Sequence, residues 1–192
     1  GVDIHVRCSF TDTPGTWIIQ GEDQPMEQAI VSGVTYALED AKVTIHNLPD
    51  KPGIAAKAFT ALAHANVNVD MIIQNVSEGG ITDISFTADQ EDLPTIRQIL
   101  EDMRDELKFD HIVTDTDMAK ISLIGAGMKT HPGVAAKMFE TMASNGVNIE
   151  MISTSSIKIS CVIRRAFIED AVRALHTAFG LDVSMVRRSE ED

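Results

Sequence analysis

The ten residues "DKPGIAAKAF" at 50–59 return eighty positions later as "THPGVAAKMF" at 130–139. Under the same shift Pro52-Gly53 falls on Pro132-Gly133, Ala55-Ala56-Lys57 on Ala135-Ala136-Lys137, Phe59 on Phe139, and "VNVDMI" on "VNIEMI". Agreement over several separate segments marks a duplication, so the chain must fold as two copies of one supersecondary unit. With 192 residues and 44% hydrophobic side chains, it can bury one sizeable core or two small ones.

Each copy repeats one order of periodicities. A short alternating segment, "KVTIHNL" at 42–48 or "KISLIGAGM" at 120–128, reads as a strand. Pro-Gly then opens a helix whose apolar residues Ile54, Ala55, Ala58, Phe59 and Leu62 share one face, matched by Val134, Ala135, Met138, Phe139 and Met142. "VNVDMIIQNV" with "ITDISFTA", and "VNIEMISTSS" with "IKISCVIR", alternate with period two and predict a hairpin in each copy. A second helix follows, carried by Leu93, Ile96, Ile99, Leu100, Met103 and Leu107, or by Ile168, Val172, Leu175 and Phe179. Closing strands are expected at 110–116 and 181–188, giving βαββαβ twice. The expected fold is therefore α+β: two ferredoxin-like modules in tandem with antiparallel sheets, at 42–117 and 118–192. Closing strands that cross from one module into the other remain open. Residues 1–41 lie outside the repeat and read as an extended arm or linker with a turn at Pro14-Gly15. The acid-rich stretch 89–117 reads as a solvated helix face and link.

Composition removes several partners. Against 16 basic side chains stand 29 acidic ones, and a net charge of -13 repels nucleic-acid phosphates and anionic lipid. The two cysteines, Cys8 and Cys161, have no CxxC spacing and suggest neither disulfide framework nor zinc site, which points to a reducing cytoplasm. There is no run of eighteen apolar residues, and the first ten residues hold neither a basic signal region nor an initiator methionine, so the chain reads as soluble and as part of something longer. No phosphate-binding loop, nucleophile elbow or His-Glu-x-x-His motif is present. His46, His64, His111, His131 and His176 are scattered without ligand spacing, and "GAGMK" at 125–129 lacks the third glycine of a nucleotide loop. No catalytic or metal-binding residue is assigned.

The repeated Pro-Gly does suggest binding chemistry. A helix start leaves backbone N–H groups without intrahelical partners and carries partial positive charge, so it can hold a carboxylate. Proline suits the first turn, and glycine lets a ligand approach the backbone. Downstream, Asn68, Asp70 and Gln74, with Asn148, Glu150 and Ser155 in the second copy, interrupt apolar strands. Asp70 and Gln74 would suit an ammonium group, so a zwitterion could be held at both ends. The plainer reading is an efficient strand-to-helix turn, with Asn68 and Asn148 serving turns and Asp70 and Glu150 facing water.

"DKPGIAAKAF", "NVNVDMIIQNVS", the stretch "KISLIGAGMKTHPGVAAKMFETMASNGVNIEMISTSSIKISCVI" and "AVRALHTAFGLD" together resemble the paired ACT modules of the aspartate kinase family, over about residues 42–182. "VRCSFTDTPGTWI" is similar to the segment that joins the kinase domain to those modules, and Met26 to the internal start of separately made regulatory subunits. The resemblance implies an allosteric region serving ATP-dependent phosphorylation of aspartate, with ATP and Mg bound only by a kinase domain that is missing here. This chain would bind effectors without turning over substrate. It implies feedback inhibition by lysine, threonine or both, a homodimer through the ACT modules, and association with the catalytic part. The implied first site is Asp50, Lys51, Pro52, Gly53, Ile54 and Ala55 with Asp70 and Gln74. The second-copy counterparts are His131, Pro132, Gly133, Val134 and Ala135 with Asn148, Ile149 and Ser155. The second copy replaces Asp50 by Thr130, Asp70 by Glu150 and Gln74 by Thr154, so its residues could instead complete a partner's first site. The alternatives are an ACT pair that senses amino acids for another enzyme or regulator, and a purely structural dimerisation module.

Overall fold

The structure, a computed structural model, describes residues 4–6, 16–18, 30–76, 79–126, 128, 131 and 133–183. Two four-stranded antiparallel sheets carry the described part of the molecule. The first has the order β7-β4-β6-β5, from β4 (Asp40–Pro49), β5 (Val69–Val76), β6 (Ile81–Asp89) and β7 (Ile112–Asp115). The second has the order β3-β8-β10-β9, from β3 (Ile30–Ala37), β8 (Met118–Ala126), β9 (Met151–Thr154) and β10 (Lys158–Arg164). A separate two-stranded ribbon pairs β1 (Ile4–Val6) with β2 (Thr16–Ile18). The turn expected at Pro14-Gly15 lies outside the described residues.

Alternation explains the strands. On β4, Val43 and Ile45 are fully buried towards the helices, Thr44 between them is buried on the opposite face, and Lys42 and His46 to either side stay partly exposed. Helices α1 (Ile54–His64), α2 (Leu93–Asp102) and α3 (Arg104–Leu107) cover that face, with Ala58, Leu62, Ile96, Leu100 and Leu107 in one core. Helices α4 (Val134–Ser144) and α5 (Ile168–Ala178) do the same for the second sheet through Met138, Met142, Ala171 and Leu175. The helix expected to run on to Leu107 breaks at Met103 into α2 and α3. Helices α1 and α4 end alike. Asn66 (φ 59°) and Gly146 (φ 69°) are left-handed, and the amides of Val67 and Val147 donate to Leu62 and Met142 at 3.0 Å each. Those valines are buried in the same cores as the residues they cap. The left-handed turn residues thus stand two positions ahead of Asn68 and Asn148.

The helix-free faces of the sheets meet around a third cluster, Met71, Met118, Met151 and Val162. Two buried or half-buried hydroxyl pairs recur here at equivalent places, Thr44–Ser85 at 2.9 Å and Ser122–Ser160 at 2.7 Å.

The closing strand of the second sheet differs from expectation. Leu181–Val183 is a single 3₁₀ turn, and 184–188 lie outside the described residues. The position is taken by β3, from the segment read as an arm. Strand β7 lies against β4 with Lys42 opposite Asp115 and Val43 opposite Thr114; β3 lies against β8 with Lys120 opposite Ala37 and Ile121 opposite Tyr36. One shift of 78 residues converts each of these pairs into its counterpart. The duplicated unit is therefore β3-β4-α1-β5-β6-α2 followed by β7-β8-α4-β9-β10-α5, and the leading strand of each unit completes the sheet of the other.

Candidate functional site

Strand β4 delivers the chain to the first Pro-Gly. The Asp50 amide donates to the Gly80 carbonyl (2.8 Å), the Lys51 amide to the Pro49 carbonyl (2.9 Å) and the Ile54 amide to the Lys51 carbonyl (3.3 Å). Gly53 is the N-cap at φ 94°, and no side chain caps the helix. Pro52 thus stands ahead of the cap and not in the first turn. A Cβ built on Gly53 would meet nothing within 4 Å, so its positive φ, and not a close approach, is what calls for glycine here.

A cavity of about 380 Å³ lies against this helix start. Its walls include Asp50, Lys51, Pro52, Gly53, Ile54, Ala55 and Gln74, all expected from sequence, together with Pro49, Thr82 and Ile84. Register explains the additions, because Gln74 on β5 lies opposite Ile84 on β6 and Pro49 pairs with Ile81. The Thr82 hydroxyl donates to the Asn75 carbonyl, a tie between the two strands below the cavity. The site therefore offers a helix N-terminus for an anion, charges of both signs at Asp50 and Lys51, and an amide at Gln74.

Asp70 does not reach that cavity. It lines a separate one of about 390 Å³ with Asp40, Asn68, Val69, Ala88, Asp89 and Lys120. The Lys120 ammonium lies 2.5 Å from Asp70 and 2.7 Å from Asp40. The hydrogen bond from Lys120 holds the Asp70 carboxyl below the usual range against the opposing effect of burial. Burial works against the Lys120 charge, but Asp40 and Asp70 outweigh it and raise its pKa. Glu150, the counterpart of Asp70, contacts Lys42 and Arg164 at 2.6 Å each, and Arg164 also reaches Asp115 at 2.6 Å.

In the second copy Gly133 (φ 117°) caps α4, His131 is partly buried, and Pro132 lies outside the described residues. A cavity of about 300 Å³ is lined by Met128, Ala135, Thr154, Ser155, Ser156 and Ile159. Ala135 and Ser155 were expected there, whereas Val134 and Ile149 pack against the second core and Asn148 is exposed. The Ser155 hydroxyl accepts the Lys158 amide (3.0 Å), so it also shapes the β9–β10 turn. Among the described residues, no group of three or more His, Cys, Asp or Glu could hold a metal ion. No described helix is long and apolar enough to cross a membrane.

The chain matches ACT-domain family models over residues 41–105 and 121–179. It is 41% identical to the regulatory subunit of aspartate kinase from Thermus thermophilus in its ligand-free form, with a TM-score of 0.74, covering 78% of this chain and 99% of that one. The chain belongs to the aspartokinase family. A structure described as aspartokinase alpha and beta subunits is 43% identical, with a TM-score of 0.73 and coverage of 78% and 99%. The aspartokinase of Mycolicibacterium smegmatis is 50% identical over 184 residues, or 94% of this chain and 44% of the relative. The chain thus spans under half the length of the curated aspartokinases it matches, and the part shared with them includes both ACT modules.

Proposed function

We propose that this ACT pair is the effector-binding part of an aspartokinase, taking lysine, threonine or both, and that it regulates phosphoryl transfer to aspartate in a kinase domain outside this sequence. The observation that supports it is the cavity at the start of α1, which gathers Asp50 to Ala55 and Gln74 in a volume suited to one amino acid. The backbone amides of the first α1 turn receive the α-carboxylate, and Gln74 with Asp50 meets the ammonium or a side-chain polar group. The cavity at Met128, Ala135, Thr154 and Ser155 is the counterpart in the second module. Two chains pair through their ACT modules in this reading, and the dimer passes the bound state to the kinase domain in a cytoplasmic enzyme.

An effector acts only by favouring one arrangement of the modules over another. Calorimetric titration of the folded chain with L-lysine and with L-threonine tests the reading; binding of neither would overturn it. Gln74→Ala should weaken the bound amino acid by about 0.5–1.5 kcal/mol, roughly a two- to twelvefold rise in Kd. A purely structural ACT pair would show no rise in melting temperature with either amino acid, whereas a sensor gains stability as RT ln(1 + L/Kd), with L the free ligand concentration, and continues to do so above saturation.

A further inference from the structure

The two cavities stand on strands that are joined elsewhere. Strand β5 carries Gln74 at the first cavity and, four residues earlier, Asp70, which is gripped by Lys120 of β8 in the other sheet. Thr154, at the end of β9, lines the second cavity, and four residues earlier Glu150 is gripped by Lys42 of β4 in the first sheet. Lys42 and Lys120 are counterparts under the 78-residue shift, and so are their strands. The remote ends of those strands also belong to the cavities: β4 ends at Pro49, which lines the first, and β8 runs towards Met128, which lines the second. Each module therefore anchors the strand under the other module's cavity, about 13 Å along the strand from the lining residue.

These pairs are placed to matter. The Lys120 and Glu150 side chains are only 14% and 12% exposed. Beside them the sheets touch through Met71, Met118 and Met151, side chains that adjust to small sliding movements more readily than branched ones. A fixed ionic grip next to an adaptable apolar contact lets a displacement of one strand pass to the other sheet without opening the interface.

We propose that Lys120–Asp70 and Lys42–Glu150 are positioning pairs that couple the two cavities, so that filling one changes the affinity of the other. This rests on the effector reading above. It moves Asp70 from contact with a ligand's ammonium to support of the strand that bears Gln74. Coupling of this kind is reciprocal.

The test is calorimetry on the full chain: L-lysine titrated with and without saturating L-threonine, then the reverse. If one amino acid fills both cavities, the Hill slope takes the place of the affinity ratio. Wild type should show two bound molecules per chain and a ratio of about fivefold or more, equal in both directions. Asp70→Asn or Lys120→Met should cut the ratio by half or more, and either combined with Glu150→Gln should bring it to one, while each affinity measured alone stays within about twofold; Lys120→Arg should keep the coupling. Asp70→Asn is nearly isosteric at a half-exposed position and serves if Lys120→Met does not fold. Binding at both cavities with a wild-type ratio of one would overturn the coupling and leave the effector reading standing. So would coupling that is undiminished in Asp70→Asn or survives Asp70→Asn combined with Glu150→Gln, a single molecule bound per chain, or an Asp70→Asn variant that loses affinity with no second ligand present. Failure of both amino acids to bind would overturn the effector reading, and the coupling with it.

Discussion

Gly53 and Gly133 hold φ values of 94° and 117° at the same place in the two copies. Sequence pointed to these glycines but suggested ligand access as their reason, because residue identity alone does not separate an open approach from a left-handed backbone. Their surroundings are empty enough for a Cβ, so the cost of a side chain is conformational. Gly53→Ala should lower stability by about 1–2 kcal/mol, seen as a lower urea midpoint with unchanged m-value. Cys161 is the opposite case, a residue whose chemistry is suppressed by packing. It is fully buried on β10, and burial pushes its thiol up to about 12. At pH 8 iodoacetamide should leave the Cys161 peptide unmodified in the native chain and alkylate it after denaturation, as read by peptide mass mapping.

Among the elements, period-two alternation made β4, β5, β6, β8 and β10 legible, and the i, i+3, i+4 spacing made α1, α4 and α5 legible. Local signals of that kind depend only on which face is buried. The same alternation could not say what Asp70 faces, since a polar residue directed at solvent and one directed at a lysine on another sheet leave the same pattern. The cross-sheet ion pairs give the contact between modules a pH window. Asp70 titrates lower in the folded chain than unfolded, so the unfolded chain binds more protons and stability rises with pH through that range. Its contribution is present above the ordinary carboxylate value of about 4 and is lost as pH falls through the lowered folded value. Asp115, lowered by Arg164 and the Asp117 amide against the effect of burial, acts in the same direction. The raised pKa of Lys120 contributes below about pH 10 and is lost as pH climbs through the folded value. Melting temperature should therefore be flat between about pH 5 and 9 and fall on either side, and Asp70→Asn should shallow the acid limb. A variant with an unchanged acid limb would show that the bridge adds nothing to stability.

At the scale of the whole molecule, the duplication was plain in the sequence and the exchange of leading strands was not. "IVSGVTYA" at 30–37 alternates as any edge strand does, and nothing local names β8, rather than the adjacent β4, as its neighbour. The most familiar cut, between the modules at 117/118, would strip the second core of Val31, Val34 and Leu38, which pack against it. Residues 118–192 alone should unfold without a cooperative transition, and a peptide spanning 30–38 should restore one; a sharp melt of the fragment by itself would show β3 to be dispensable. The exchange also sets a timetable. During synthesis β3 emerges first, yet its partner follows only after roughly 80 more residues, some 4–16 s at ordinary rates of translation. Throughout that interval the first sheet is still gaining its own strands while β3 waits with both edges unpaired. A neighbouring nascent chain that has already made β8 can capture it, so crowded polysomes favour the same strand exchange between chains that the finished fold keeps within one.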